Sequence, residues 1–88
     1  MSEHHEPAEA IGSVIHWYGH LSVAGVRLTA PLAVGERIHI RGHTTDLVET
    51  VSSMEIERTK VEGAGPGDDV ALAVAGHVHD HDLIFRES

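Results

Sequence analysis

Residues 37–57 read RIHIRGHTTDLVETVSSMEIE. Arg37 to Arg41 alternates without exception, setting Ile38 and Ile40 on one face and Arg37, His39 and Arg41 on the other. That period of two belongs to a strand with one buried face. Gly42 to Asp46 (GHTTD) is a polar turn, so the chain returns as an antiparallel arm over Leu47 to Glu57. This arm changes phase, because Val51, Met54 and Ile56 cannot all point inward from one flat strand. An extra residue at Ser52-Ser53 would reconcile them, which predicts a β-bulge and a bend there.

The same reading extends outward. Ile11 to Trp17 forms a first strand, and Leu21 to Thr29 a second whose apolar phase shifts near Gly25, where a bulge or a close backbone approach is expected. Pro31 and Gly35 bracket a turn. Gly63 to Asp68 (GAGPGD) is too rich in glycine and proline for regular structure. Val70, Leu72 and Val74 alternate with alanines, His77 to Asp82 turns, and Leu83-Ile84-Phe85 closes the sheet with Phe85 as a core residue. No window repeats apolar residues at helical spacing. The expected fold is all-β: one small closed or nearly closed antiparallel barrel of about six strands over residues 10–88, preceded by a disordered acidic, histidine-bearing tail over residues 1–9.

Composition narrows function. With 88 residues the chain is one domain, and without cysteine it has neither disulfides nor thiol chemistry. The start, MSEHHEPAE, lacks the basic and apolar runs of an export signal, and no apolar stretch approaches a membrane span of ~20 residues. A cytoplasmic protein is expected. Fourteen acids against six cations give a net charge of -8, which disfavours general binding to a phosphate backbone. Nine histidines would carry that charge to +1 if all were protonated, so solubility should fall between about pH 5 and 6.

Three segments, LAVGERIHI (32–40), VSSMEI (51–56) and GPGDDVAL (65–72), resemble in order and separation those of the domain-2 barrel of translational GTPases. Each has a mechanical role: a tight turn into a strand, a bulge, and a corner that delivers an alternating strand. The GSVIHWY start and the IHIRGHTTD hairpin are similar to small elongation-factor-like barrel proteins. The resemblance implies the elongation factor domain-2 fold and a translation-associated role. It also maps the family's pocket positions onto Glu55, Asp69 and Val70. The chain departs from that family in having no G-x-x-x-x-G-K-[ST] loop around its single lysine, Lys60, so it cannot hydrolyse GTP alone.

His77-Val78-His79-Asp80-His81-Asp82 would place three imidazoles on one strand face at ~6.8 Å steps, a candidate zinc or nickel site. Because this stretch falls in a turn, a solvated polar loop is the favoured reading and no cofactor is expected. Trp17 and Tyr18 are adjacent and cannot both face the core. One ring should be partly exposed, either as an interface anchor or as a plug at a barrel end. His39 is expected to meet solvent or a cross-strand acid such as Glu49. No nucleophile, base and orienting group stand in a recognisable setting. The sequence therefore points to a non-catalytic binding or adaptor module for a protein or ribonucleoprotein, with Trp17, Tyr18, Arg37, His39 and Arg41 as contact surfaces. The alternatives are a metal-binding barrel through His77, His79 and His81, and a structural subunit of a homo-oligomer.

Overall fold

Alternating β-branched residues separated by glycine, proline and Asx turns give short strands, and the computed structural model contains ten of them. It describes residues 9–87, so the tail expected over 1–9 lies outside the described residues except for Glu9. The strands are Ala10–Tyr18 (β1), Val23–Leu28 (β2), Leu32–Ala33 (β3), Arg37–Arg41 (β4), Asp46–Thr50 (β5), Met54–Ile56 (β6), Thr59–Lys60 (β7), Gly63–Ala64 (β8), Asp69–Ala73 (β9) and Leu83–Arg86 (β10). A single 3₁₀ turn, Gly19–Leu21, joins β1 to β2. Eight strands form one sheet in the order β5-β4-β10-β1-β2-β9-β6-β7, while β3 and β8 pair separately. Every pairing is antiparallel. Among the described residues no helix is long and apolar enough to cross a membrane.

The all-β antiparallel expectation holds, but the barrel of about six strands does not. The terminal strands β5 and β7 share no ladder, so the sheet is not closed. It is nonetheless curled. On a flat sheet β5 and β6, six strand spacings apart, would be separated by about 29 Å. Only Val51 to Ser53 link them, and that link reaches about 14 Å at most from Thr50 to Met54. The phase change expected to be a bulge at Ser52-Ser53 is thus a strand break, where the chain leaves the β4 edge for the β9 edge. Val51 and Met54 stay buried on either side of it.

Side chains close the seam that the ladder leaves open. Thr45, Leu47 and Glu49, spaced two apart, face the segment after β9. Thr45 Oγ1 lies 3.1 Å from His79 Nδ1. Leu47 packs against Gly76, where a Cβ would fall 2.6 Å from Cδ1. The Glu49 carboxylate accepts the N–H groups of Ala75 and Gly76. An edge strand covered in this way is not a template for aggregation.

Inside lie Ile11 and Val14 of β1, Ala24, Val26 and Leu28 of β2, Ile38 and Ile40 of β4, Val70 and Leu72 of β9, and Ile84 of β10. Phe85 is not among them: register pairs it with His39 on the outer face, and Ile84 takes the inward position instead. The irregularity expected near Gly25 sits across from it, as a register shift between Val14 and His16 of β1. Gly63 and Ala64, read as loop, form β8 against Leu32 and Ala33. Gly67 turns the corner into β9 with φ +88, a left-handed conformation that glycine adopts without strain.

Candidate functional site

The sheet register assembles a trough on the outer face. One row across the strands runs Glu55 (β6), Ala71 (β9), Gly25 (β2), His16 (β1), and the next runs Ala73, Val23, Tyr18. Residues paired across a ladder share a face. Gly25 and Ala71 at the centre of the first row, with Ala73 and Val23 beside them in the second, are smaller than the residues around them and leave a depression. Its volume is about 380 Å³, and Ala71, Ala73 and Val23 form its floor. Tyr18 and Leu21 make an apolar wall, while Ser53, Glu55 and Arg58 make a polar one. A second, shallower depression of about 320 Å³ lies beyond Leu21 and Ala73, bounded by Ser22, Glu49 and Ser52.

The bulge in β1 accounts for the apolar wall. One extra residue after Val14 resets the phase, so Ile15 and His16 both face solvent. Trp17 then turns back to pack on the core, and Tyr18 emerges. Of the two adjacent rings, Tyr18 is the exposed one at 42 %, with its ring over Gly25. His16 packs against it in a tilted arrangement, 4.3 Å between centroids with the ring planes at 56°. Leu21, in the 3₁₀ turn, is 60 % exposed.

On the opposite wall, Arg58 is held by a two-residue hairpin turn between β6 and β7. Glu57 (φ 50) and Arg58 (φ 69) are both left-handed. That is the type I′ geometry favoured in tight hairpins, which normally uses asparagine and glycine. Two side-chain-bearing residues in this conformation store strain. Among the described residues neither Glu55 nor Arg58 has an ion-pair partner within 4 Å.

The other expected positions are dispersed. Val70 is buried in the core. Asp69 is taken up by Arg27, which donates from Nε and Nη2 at 2.8 and 3.0 Å. The hydrogen bond from Arg27 and its charge hold the Asp69 carboxyl below the ordinary range of about 4. Of Glu55, Asp69 and Val70, only Glu55 reaches the trough.

Arg37, His39 and Arg41 do share the outer face of β4, away from the trough. His39 is paired with Asp46, at 2.5 Å, and lies near Glu87 at 3.8 Å. Glu49, the acid expected beside it, points to the seam. The hydrogen bond from His39 lowers the Asp46 pKa.

The His77, His79 and His81 segment is an irregular turn. Val78 is buried and anchors it, His77 lies between Trp17 (5.5 Å) and His79 (4.7 Å), and His81 turns off with φ 77. Among the described residues no group of three or more His, Asp or Glu side chains is placed to hold a metal ion. Thr45, His79 and Asp82 meet, but not as a relay. The Thr45 hydroxyl and the Asp82 carboxylate (4.0 Å) both approach Nδ1 of His79, whereas a triad needs its orienting acid and its nucleophile on opposite ring nitrogens.

Sequence reasoning named Tyr18, and the elongation-factor resemblance named Glu55, but both missed Leu21, Arg58, Ala71 and Ala73. The alanines were legible as the small outward face of the Val70/Leu72 strand. Arg58 was not, since nothing in Glu57-Arg58 announces a left-handed turn.

No family model matches the chain. A curated relative, an uncharacterized protease of Methanocaldococcus jannaschii, is 37 % identical over 76 residues. That match takes in 85 % of this chain, which spans only 19 % of the relative's length. The C-terminal domain of a Geobacillus thermoleovorans protein assigned to the U32 peptidases has the same fold. Its TM-score is 0.85 at 16 % identity, covering 99 % of this chain and all of that one. A selenomethionine form of that domain gives 0.83 at 15 % identity over 89 % of this chain and 99 % of its own.

These findings overturn the elongation-factor reading and, with it, the translation-associated adaptor role, and they lend no support to the metal-binding and homo-oligomer alternatives. The motifs that carried the resemblance describe how a chain enters and leaves strands, and a different small β-domain uses the same turns. Fold-level mechanics carry no information about the site.

Proposed function

We propose that this chain acts as a non-catalytic accessory domain beside a catalytic domain of the U32-peptidase type. The observation that carries this reading is the 37 % identity to a segment amounting to less than a fifth of a much longer protease relative. A module of that proportion leaves most of the relative's chain for the chemistry. The Thr45–His79–Asp82 geometry supports the non-catalytic part, because its hydroxyl is buried and approaches the wrong ring nitrogen for a nucleophile. A partner that is protein fits the charge, since a domain at -8 gains little from a phosphate backbone.

The test is a domain exchange. In the M. jannaschii protein, the 76 residues that match this chain would be replaced by it. The chimera should retain the stability and activity of the parent, while the isolated chain should cleave neither casein nor a fluorogenic peptide set. Cleavage by the purified chain alone, or a folded chimera no better than one carrying an unrelated β-domain, would remove the proposal.

A further inference from the structure

We infer that the trough between Tyr18 and Arg58 docks the domain onto that catalytic partner by receiving an extended segment of it. The segment bears apolar side chains at two alternate positions and an opposite charge pair facing Glu55 and Arg58. This rests on the accessory-domain reading and names the surface it would use.

Exposed apolar residues gather at this trough. Tyr18 and Leu21, two of the five large hydrophobic residues exposed among those described, line it, and a third, Ile15, lies three residues before Tyr18 and beside Gly25. Contiguous apolar surface rimmed by polar groups marks an interaction site, whereas scattered single residues do not. The two depressions share Leu21 and Ala73, so the channel continues past Leu21 towards Ala75. Its floor follows the outward residues of β9. An extended partner repeats its side chains on one face every ~6.8 Å, so alternate side chains of one strand could enter the two adjoining depressions.

The polar wall supplies register. Glu55 and Arg58 present one negative and one positive charge along the same hairpin, neither neutralised within the described part of the domain. A basic residue against Glu55 and an acidic one against Arg58 would complement them in one direction only, which suits charge as a device for specificity. The left-handed Glu57–Arg58 turn fixes the position of Arg58, and strain of this kind gathers at sites of recognition.

The experiment titrates the isotope-labelled 88-residue chain with the M. jannaschii protein lacking its matching 76 residues, followed by NMR. Shifts should concentrate at Tyr18, Leu21, Val23, Glu55, Arg58, Ala71 and Ala73. Leu21→Asp and Glu55→Lys should each raise Kd at least tenfold, with unchanged spectra of the free domain because both changes lie outside the core. Shifts centred on Arg37, His39 and Arg41, or variants that bind like the wild type, would overturn the docking surface and leave the accessory role standing. Absence of binding by the wild type would overturn both.

Discussion

The carboxylate of Glu49 accepts the N–H of Ala75 at 2.9 and 3.1 Å, and that of Gly76 at 3.1 Å, joining an edge strand to the far side of the same sheet. Where a closed barrel would place ladder bonds, this domain places side chains, and of these Glu49 takes two backbone donors. Glu49→Ala strands two backbone donors without a charged acceptor. The expected cost is about 1–2 kcal/mol, or roughly 5–10 °C in Tm for a domain of this size. Glu49→Gln keeps one acceptor oxygen and should recover part of the loss. Equal melting curves for wild type and Glu49→Ala by circular dichroism would mean that packing alone holds the seam.

The β6–β7 hairpin predicts an opposition between stability and binding. Replacing Glu57 and Arg58 by Asn and Gly gives the turn the residues its φ values favour. Stability should rise by about 1–2 kcal/mol, since a left-handed conformation costs a side-chain-bearing residue about that much. The same change deletes a charge from the trough, so docking should weaken as the fold strengthens, a common trade at functional sites. Urea denaturation reads the first effect and the NMR titration the second. A double variant less stable than the wild type would show that contacts of Arg58 outweigh the strain.

Local alternation made most of the strands legible. The Arg37–Arg41 period and the Val70/Leu72 period placed β4 and β9 correctly, because each strand is buried on one face only. What could not be read was how the sheet ends. Val51, Met54 and Ile56 gave a true signal of changed phase, but a bulge and a strand break produce the same pattern. Deciding between them requires knowing which edge Met54 joins, a contact with Leu72 eighteen residues away. Tyr18 was recognisable as one of two adjacent rings that cannot both face the core, whereas Glu55 came only from the elongation-factor resemblance that the comparisons overturn. Their meeting across β2 and β9 depends on register, and Arg58 on a turn its residues do not favour.

Acid should weaken the outer face before the core. The folded pKa of Asp69 is depressed by Arg27, so the pair contributes fully above the unfolded carboxyl value of about 4. Its contribution is lost as pH falls through the lower folded value. Asp69→Asn should therefore be less stable than the wild type at neutral pH, with the gap closing as pH drops below 4. The pair is exposed, so 1 M salt should shrink the gap as well. Urea midpoints measured from pH 2 to 7 test this. A gap that stayed constant with pH would assign the effect to packing.

Gly42 offers the sharpest test of the turn that seals the histidine segment. A Cβ there would fall 1.8 Å from Oδ1 of Asp82 and 2.6 Å from its Cγ, closer than any side chain can sit. Gly42 has no left-handed φ, so the conflict is steric and not conformational. Asp82 has little freedom to yield: it is 4 % exposed, and Oδ2 accepts the N–H of His79 at 2.8 Å. Its own carbonyl accepts from Val14 at 2.8 Å. Gly42→Ala should expel the carboxylate and leave the His79 N–H without its acceptor, at about 2–3 kcal/mol. Asp82→Ala makes room for the new methyl, so adding Gly42→Ala to it should cost little more. The double-mutant cycle should return a coupling above 1 kcal/mol, as residues in direct contact do. Additive losses would mean that Gly42 serves the hairpin backbone itself, and that the close approach to Asp82 is incidental.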